Sequence, residues 1–385
     1  MSPPPPPTAA TRGPSPLGPL VRLRGISTSH LPAPAATTAE LAPLLTSILR
    51  EALPFIDSAA PRQPPTTNNN KPGSTPTLWK RRSTKTWAPS STASSSSSLQ
   101  PTRIERFTRV IPASELRPLA AAAASSGAAT TTTTTTTAAA RESESETWVC
   151  RRSEHADRAE RGTASWAEFE RCFRDEHAAA EVAFTPAAVA GHEALVWAVD
   201  GRGGEGRGRG DEGDDGAGAG AGGDGGVRPL EVEEGGRVWG RFTLKMVEMR
   251  HRVGRPVLKD RTFPVLQMTA AAVVDGLAGG ASDEFVVVSI PVPDFALSEH
   301  SKLAREPGAL VARYVSVERF RRLGGDGEGR IEWLMATASD AGGVLPMWVQ
   351  NMATPGVIWK DVPLFLDWIA REREARDATK SGPSG

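Results

Sequence analysis

Between Arg241 and Ser339 the chain offers five apolar-rich segments in quick succession, with no helical period long enough to join them as crossovers. "RFTLKMVEM" sets Phe242, Leu244 and Met246 against Arg241, Thr243 and Lys245, the period-2 alternation of a strand with one buried and one wet face. "RTFPVLQMTAAAVV", "EFVVVSIPV", "ALVARYVSVERF" and "RIEWLMATAS" follow at hairpin-like intervals. Parallel neighbours need a crossover of a dozen or more residues, usually a helix. Strands spaced this closely therefore predict a largely antiparallel sheet.

Helices are signalled at three places. From Glu40 to Leu53, Leu41, Leu44, Leu45, Ile48, Leu49 and Leu53 recur at helical spacing. Ser165 and Glu168 form a capping box ahead of Trp166, Phe169, Cys172 and Phe173 on one face. The stretch "LPMWVQNMATPGVIWKDVPLFLDWI" (Leu345 to Ile369) keeps Leu345, Trp348, Val349, Met352, Ile358, Val362, Phe365, Leu366 and Ile369 near one stripe, across Pro355 and Pro363. Pro355-Gly356 predicts a break. Asp361 is placed to cap a restarted half, with Pro363 in its first turn, where a missing N–H costs little. Arg371 to Arg376 reads as a solvated flank. "TLWKRRSTKTW", "RIERFTRVI", "TWVCRRS" and "ALVWAV" read as further strands.

Much of the chain cannot join a core. Pro3 to Pro7, Ser94 to Ser98, the threonines Thr130 to Thr137 and the tract Gly201 to Gly226 lack the apolar content that offsets ordering entropy. The expected organisation is a disordered Pro-rich tail over 1–39 and one domain over 40–376. Low-complexity insertions fall at about 88–101, 112–146 and 201–236, and a disordered tail covers 377–385. The glycine tract contains neither a GxxxxGK[ST] phosphate loop nor a dinucleotide fingerprint.

Net charge is zero, so bulk charge does not hold this chain on nucleic acid, which is not expected as a partner. Residues 1–140 carry 14 Lys/Arg against 5 Asp/Glu. The cluster Lys80, Arg81, Arg82 and Lys85 between Trp79 and Trp87 fits a nucleic-acid or lipid-headgroup patch, but a solvated strand face is the commoner use of such charges. Cys150 and Cys172 make neither a disulfide framework nor a zinc spacing, which points to a reducing compartment. With no apolar run near the roughly 20 residues of a membrane span and no secretory signal, the expectation is cytoplasmic. Arg12, Arg22 and Arg24 ahead of the first acidic residue, Glu40, resemble an organelle-targeting leader, but the prolines spoil its amphipathic helix. The six histidines are scattered, with no HExxH, and no GxSxG elbow occurs, so neither a catalytic residue nor a metal or other cofactor is expected.

"SDAGGVLPMWVQN" (Ser339 to Asn351) resembles the strand-to-helix junction of START lipid-transfer domains through Asp340, Gly342, Gly343, Leu345, Pro346, Trp348 and Asn351. "KDRTFPVL" (Lys259 to Leu266) is similar to that family's Arg-plus-aromatic strand. The block from Trp148 to Ile369 resembles more closely an uncharacterised START-like branch known chiefly from fungi, in "WVCRRSEH", "GTASWAEF", "ARYVSVERFRRL" and "KDVPLFLDWI". The resemblance implies an α+β helix-grip fold, a curved antiparallel sheet wrapped around a long C-terminal helix with a hydrophobic cavity between them. It implies a lipid or other hydrophobic small molecule as partner, for transfer or sensing, with transient membrane contact.

On that reading Phe263, Trp333, Met335, Leu345, Trp348, Val349 and Met352 line an apolar pocket, and Arg261, Arg313 and Glu318 are its polar candidates. From sequence alone Trp333, Met335, Leu345, Trp348, Val349 and Met352 are more often core than pocket. At about 24 cal/mol per Å³ of void, a hollow of roughly 300 Å³ left empty would cost on the order of 7 kcal/mol, so a real cavity needs an occupant or collapses. Two other functions compete: a cyclase- or hydrolase-like enzyme built in the same kind of cavity, and an interaction scaffold acting through the Ser, Thr and Pro tracts.

Overall fold

Strand alternation assigns side chains to faces, and the computed structural model of the chain buries both faces of the central strands of its sheet. It describes residues 17–60, 78–89, 101–125, 145–199, 229–252, 259–273, 282–324, 329–340 and 357–380. In chain order the elements begin with helix α1 (Thr38–Asp57), strands β1 (Lys80–Arg81), β2 (Lys85–Trp87) and β3 (Thr102–Ile111), helix α2 (Ala113–Ser125) and strand β4 (Glu146–Ala156). Helix α3 (Trp166–Phe169) runs on as a π-helical turn (Glu170–Asp175) into helix α4 (His177–Phe184). Strands β5 (Ala188–Trp197), β6 (Val232–Glu234), β7 (Arg237–His251), β8 (Arg261–Ala272) and β9 (Glu284–Pro291) follow. The chain closes with β10 (Leu310–Val311), β11 (Arg313–Leu323), β12 (Arg330–Asp340) and helix α5 (Asp361–Lys380), entered through a 3-10 turn (Ile358–Lys360).

The strands form one 12-stranded sheet whose main path is β1, β3, β4, β12, β11, β9, β8, β7, β5. Among the pairs of strands in the described residues only β10 with β8 is parallel, the rest being antiparallel as the short spacings require. Register then fixes cross-strand rows. Gln267, Ser289, Ser316 and Thr337 stand side by side, and the next row is Thr269, Val287, Glu318, Met335 and Arg151. Beyond it lie Phe285, Phe320, Trp333 and Ser153.

Alternation sends Leu334, Ala336 and Ala338 of β12 to one side, where they meet Val286, Val288, Val315, Val317, Trp148 and the buried stripe of α1. That stripe holds Leu41, Leu45, Ile48, Leu49 and Leu53 as read from the sequence, adds Ala52 and Ile56, and leaves Leu44 only partly buried. Thr37 and Glu40 close a capping box at its start. On the other side Ile331 and Trp333 meet Phe285, Val287, Phe320, Phe169 and the α5 residues Val362, Phe365, Leu366 and Ile369. These four lie at i, i+3, i+4 and i+7, one face of a helix. An antiparallel sheet with its C-terminal helix laid across one face is the helix-grip arrangement expected from the START resemblance. Pro363 falls in the first turn of α5 as expected.

Several boundaries differ from the sequence expectation. Residues from Leu17 to Thr37, placed in the disordered tail 1–39, lie against the sheet. Glu51 accepts the N–H groups of Leu20 and Val21, each at 2.9 Å, and Glu146 accepts that of Leu23 at 2.8 Å. Asp294 accepts from Ser27 and Thr28. At Gly25 φ is +73°, and a Cβ would come within 2.0 Å of the Pro291 carbonyl oxygen, so the crossing needs glycine. This strap is held by backbone and hydroxyl donors on the carboxylates of Glu146, which is buried, and of Glu51 and Asp294, which are half-buried, a pattern with no apolar period. Helix α2 lies inside the expected insertion 112–146, β6 inside 201–236, and α5 extends to Lys380, past the expected domain end. The threonine run and the tract Gly201 to Gly226 lie outside the described residues. No helix of the described residues is long and apolar enough to cross a membrane.

Candidate functional site

The ground beneath α5 is filled by side chains. Phe365 lies 5.1 Å from Phe169, 4.8 Å from Phe173 and 5.8 Å from Trp333, measured between ring centroids. Phe320 stacks on Phe285 at 4.4 Å. Trp333, a pocket candidate from the sequence, belongs to this cluster, fully buried, with its indole N–H donating to Glu318 at 3.0 Å.

One row away the same face becomes polar. Arg151 is fully buried, its guanidinium carbon 3.8 Å from the Trp333 ring centroid and its Nη2 donating to the Met335 sulfur at 3.4 Å. Asp361 Oδ2 stands 3.8 Å from Arg151 Nε. Expected as a helix cap, Asp361 is the first residue of α5 and forms an ion pair across to β4. Tyr314 packs with Val149, Met335 and Ile358. Nearby, Glu181 of α4 lies 3.3 Å from His251 Nε2 and 3.7 Å from His177 Nε2.

Burial and charge set the protonation of this cluster. Burial pushes the Asp361 carboxyl up to about 7; the Arg151 charge opposes this, and the Glu318 and Glu181 carboxylates add to it. Burial raises the Tyr314 phenol, helped by the same two glutamates. Burial lowers the Arg151 guanidinium, with Asp361 and Glu318 opposing. For Glu181 burial is outweighed by His251 and His177, which hold the carboxyl below its usual range. Burial pushes both cysteine thiols up to about 12, so neither is a nucleophile at neutral pH. Among the described residues no group of His, Cys, Asp and Glu is arranged to hold a metal ion.

His155, on the same side of β4 as Arg151, gives the site's neighbourhood a pH signature. Burial first, and the Arg151 charge second, hold its imidazole down to about 3. The unfolded chain takes up this proton near pH 6.5 and the folded one does not, so stability is lost as pH falls from about 6.5 towards 3. The loss totals roughly 4–5 kcal/mol. Asp361 acts in the opposite sense, losing stability as pH rises through about 7, but it is about a third exposed and screened accordingly. The His155 contribution is isolated by comparison with His155→Leu: between pH 8 and pH 5 the wild type is expected to lose about 2 kcal/mol more of its unfolding free energy in urea than the variant does.

The sequence candidates divide. Glu318, Met335 and Trp333 converge on Arg151. Phe263 is half-buried at the margin, edge-on to His251 at 5.5 Å and to Tyr314 at 6.2 Å. Arg261 is buried on the Phe263 side of β8 and donates to the Lys259 carbonyl. Arg313 falls on the opposite side, sharing the alternation of Val315 and Val317, so it does not belong with Glu318. Leu345, Trp348, Val349 and Met352 lie outside the described residues. Sequence reasoning missed Arg151, Tyr314, Glu181 and His251. Arg151-Arg152 was the available signal: neighbours in a strand point to opposite faces, and in a sheet covered on both sides each arginine has to find its own partners.

Residues 148–369, more than half of the chain, match the model of the family described as "Protein of unknown function (DUF3074)". The chain belongs to this family. The DUF3074 region runs from Trp148 of β4 to Ile369 of α5, the block singled out by its START resemblance. It contains Arg151, Glu181, His251, Tyr314, Glu318, Trp333 and Asp361, and excludes α1 and the N-terminal strap. A search of the curated proteins finds no match. Three human proteins are among the solved structures similar to this DUF3074 chain. STARD10 is 11% identical, with 80% of this chain and 78% of that one covered and a TM-score of 0.38. StAR-related lipid transfer protein 5 is 10% identical, with 60% and 83% covered and a TM-score of 0.33. The StarD13 (DLC2) lipid transfer and protein localization domain is 12% identical, with 59% and 76% covered and a TM-score of 0.28. The helix-grip assignment itself rests on strand order, register and the placement of α5.

Proposed function

We propose that this protein binds a hydrophobic small molecule of lipid type on the sheet face shared by β4, β12, β11, β9 and β8, for transfer or sensing and without catalysis. The observation that carries the reading is the composition of that face. Its aromatic ground of Phe285, Phe320 and Trp333 gives way, over two rows of register, to Glu318 and Arg151 and then to Gln267, Ser289, Ser316 and Thr337, all buried. A buried surface that is apolar at one end and polar at the other suits a molecule with the same division, with affinity from apolar burial and orientation from a few polar contacts. The filled cluster under α5 sets one wall of the site. Met335, Tyr314 and Phe263 set another.

Vesicles carrying a fluorescent phosphatidylcholine test this. The folded protein is expected to extract the lipid, and Met335→Glu, which places a charge on the proposed wall, is expected to lower extraction several-fold. A folded wild type that extracts nothing, and carries no apolar molecule through purification, contradicts the reading.

One observation favours catalysis instead: Asp361, held near neutrality beside Arg151, is poised as a general acid or base. The two readings separate on Asp361→Asn, which abolishes turnover in an enzyme and leaves extraction by a carrier largely intact.

A further inference from the structure

Arg151 shows an imbalance between charge and hydrogen bonding. Its side chain is 0% exposed, and both Nε and Nη1 are buried without a hydrogen-bond partner. Its remaining nitrogen, Nη2, reaches only the thioether of Met335, a weak acceptor. Buried donors left without partners are rare in folded proteins, and a guanidinium has no acceptor capacity of its own with which to rearrange.

The charge, by contrast, is met. Asp361 Oδ2 lies 3.8 Å from Nε, close enough for an ion pair and too far for a hydrogen bond. The Glu318 carboxylate acts on the same guanidinium from β11, where Glu318 faces Met335 in register and Met335 faces Arg151. The Trp333 ring beneath the guanidinium holds its position. The site has donors to offer and no net positive charge to neutralise.

We infer that Arg151 is a hydrogen-bond donor site for an uncharged oxygen acceptor, so that the ligand taken up on this face carries a neutral carbonyl or hydroxyl head. The inference rests on the proposed function and narrows its ligand class. A carboxylate or phosphate placed at Arg151 would lie alongside Asp361 and Glu318, and like charges repel strongly in a desolvated site. An ester carbonyl or a hydroxyl satisfies the donors without that repulsion.

Three probes with one oleoyl-length chain separate the possibilities at pH 8: 1-oleoylglycerol with a neutral ester and hydroxyl head, oleate with a carboxylate, and 1-octadecene with no head. The delipidated full chain is incubated with each, and the retained probe is extracted and quantified. Retention of the acylglycerol is expected to exceed that of octadecene and of oleate by about tenfold, the scale of one satisfied buried donor. Arg151→Met keeps the length of the side chain and removes the donors, and it brings the acylglycerol down to the octadecene level. Preference for oleate overturns the inference in favour of a charge site. Equal retention of all three overturns it while leaving the proposed function standing. Retention of none defeats both. If Arg151→Met does not fold, the wild-type ranking decides alone.

Discussion

Replacing Phe173 with alanine is expected to lower the unfolding free energy by about 3–5 kcal/mol. Phe173 is buried in the π-helical turn after α3, and its ring centroid lies 4.9 Å from Phe320, 4.8 Å from Trp333 and 4.8 Å from Phe365. It therefore ties three elements together: the sheet, the turn and α5. Truncation removes its transfer free energy and opens a void among rings that cannot all collapse inward. Phe173→Leu, which keeps most of the volume, is expected to cost about 1.5 kcal/mol or less. Leu297, 85% exposed, serves as control, with Leu297→Ala within about 0.5 kcal/mol. Urea unfolding checks all three. Amide exchange reports where the loss falls, with faster exchange expected in α5.

Glu248→Ala is expected to cost a comparable amount for a different reason. Glu248 is a fully buried carboxylate on β7 that holds the 301–304 loop. One oxygen accepts from Ser301 Oγ at 2.7 Å and the Ala304 N–H at 2.9 Å; the other accepts from the Lys302 and Leu303 N–H groups at 2.8 and 2.9 Å, and from His192 at 3.0 Å. Burial alone would push this carboxyl up. The bonds from Ser301, Ala304, Lys302 and His192 outweigh it and hold the carboxyl below its usual range. Alanine leaves the Ser301 and Ala304 donors buried without an acceptor and releases the part-buried Lys302, Leu303 and His192 donors, a loss of about 3–5 kcal/mol. Glu248→Gln keeps the shape and one carbonyl acceptor and is expected to fall between alanine and wild type. Because the folded-state pKa is depressed, the contribution is present above about pH 4.5 and is lost as pH falls further, so the variant and wild type converge in acid.

Where periodicity carries information, the fold is legible in the sequence. The stripe of α1, the face of α5 at Val362, Phe365, Leu366 and Ile369, and the alternation of β7 and β12 all follow from spacing alone, because each element buries one side against a partner. The strap from Leu17 to Thr37 leaves no such trace, since Glu51, Glu146 and Asp294 hold it by hydrogen bonds over long sequence separations. The site is legible only in part. Trp333, Met335 and Glu318 come from one hairpin, so their proximity follows from strand pairing. Arg151 reaches them only when β4 docks on β12, and Asp361 only when α5 returns across the sheet. Arg313 was misplaced by residue type: its position in the alternation, shared with Val315 and Val317, already puts it on the α1 side.

The location of the bound molecule is the most direct test. The protein is loaded with a lipid carrying a photoactivatable group in its acyl chain, irradiated and digested, and the labelled peptides are identified. Labelling is predicted on β11 and β12, at Tyr314, Glu318, Met335 or their neighbours on that side of the sheet, and to be competed by unlabelled lipid. Competed labelling confined to the α1 side, at Val315, Val317 or Leu334, or label that unlabelled lipid does not displace, would contradict a binding site on the face that Arg151 and Trp333 share.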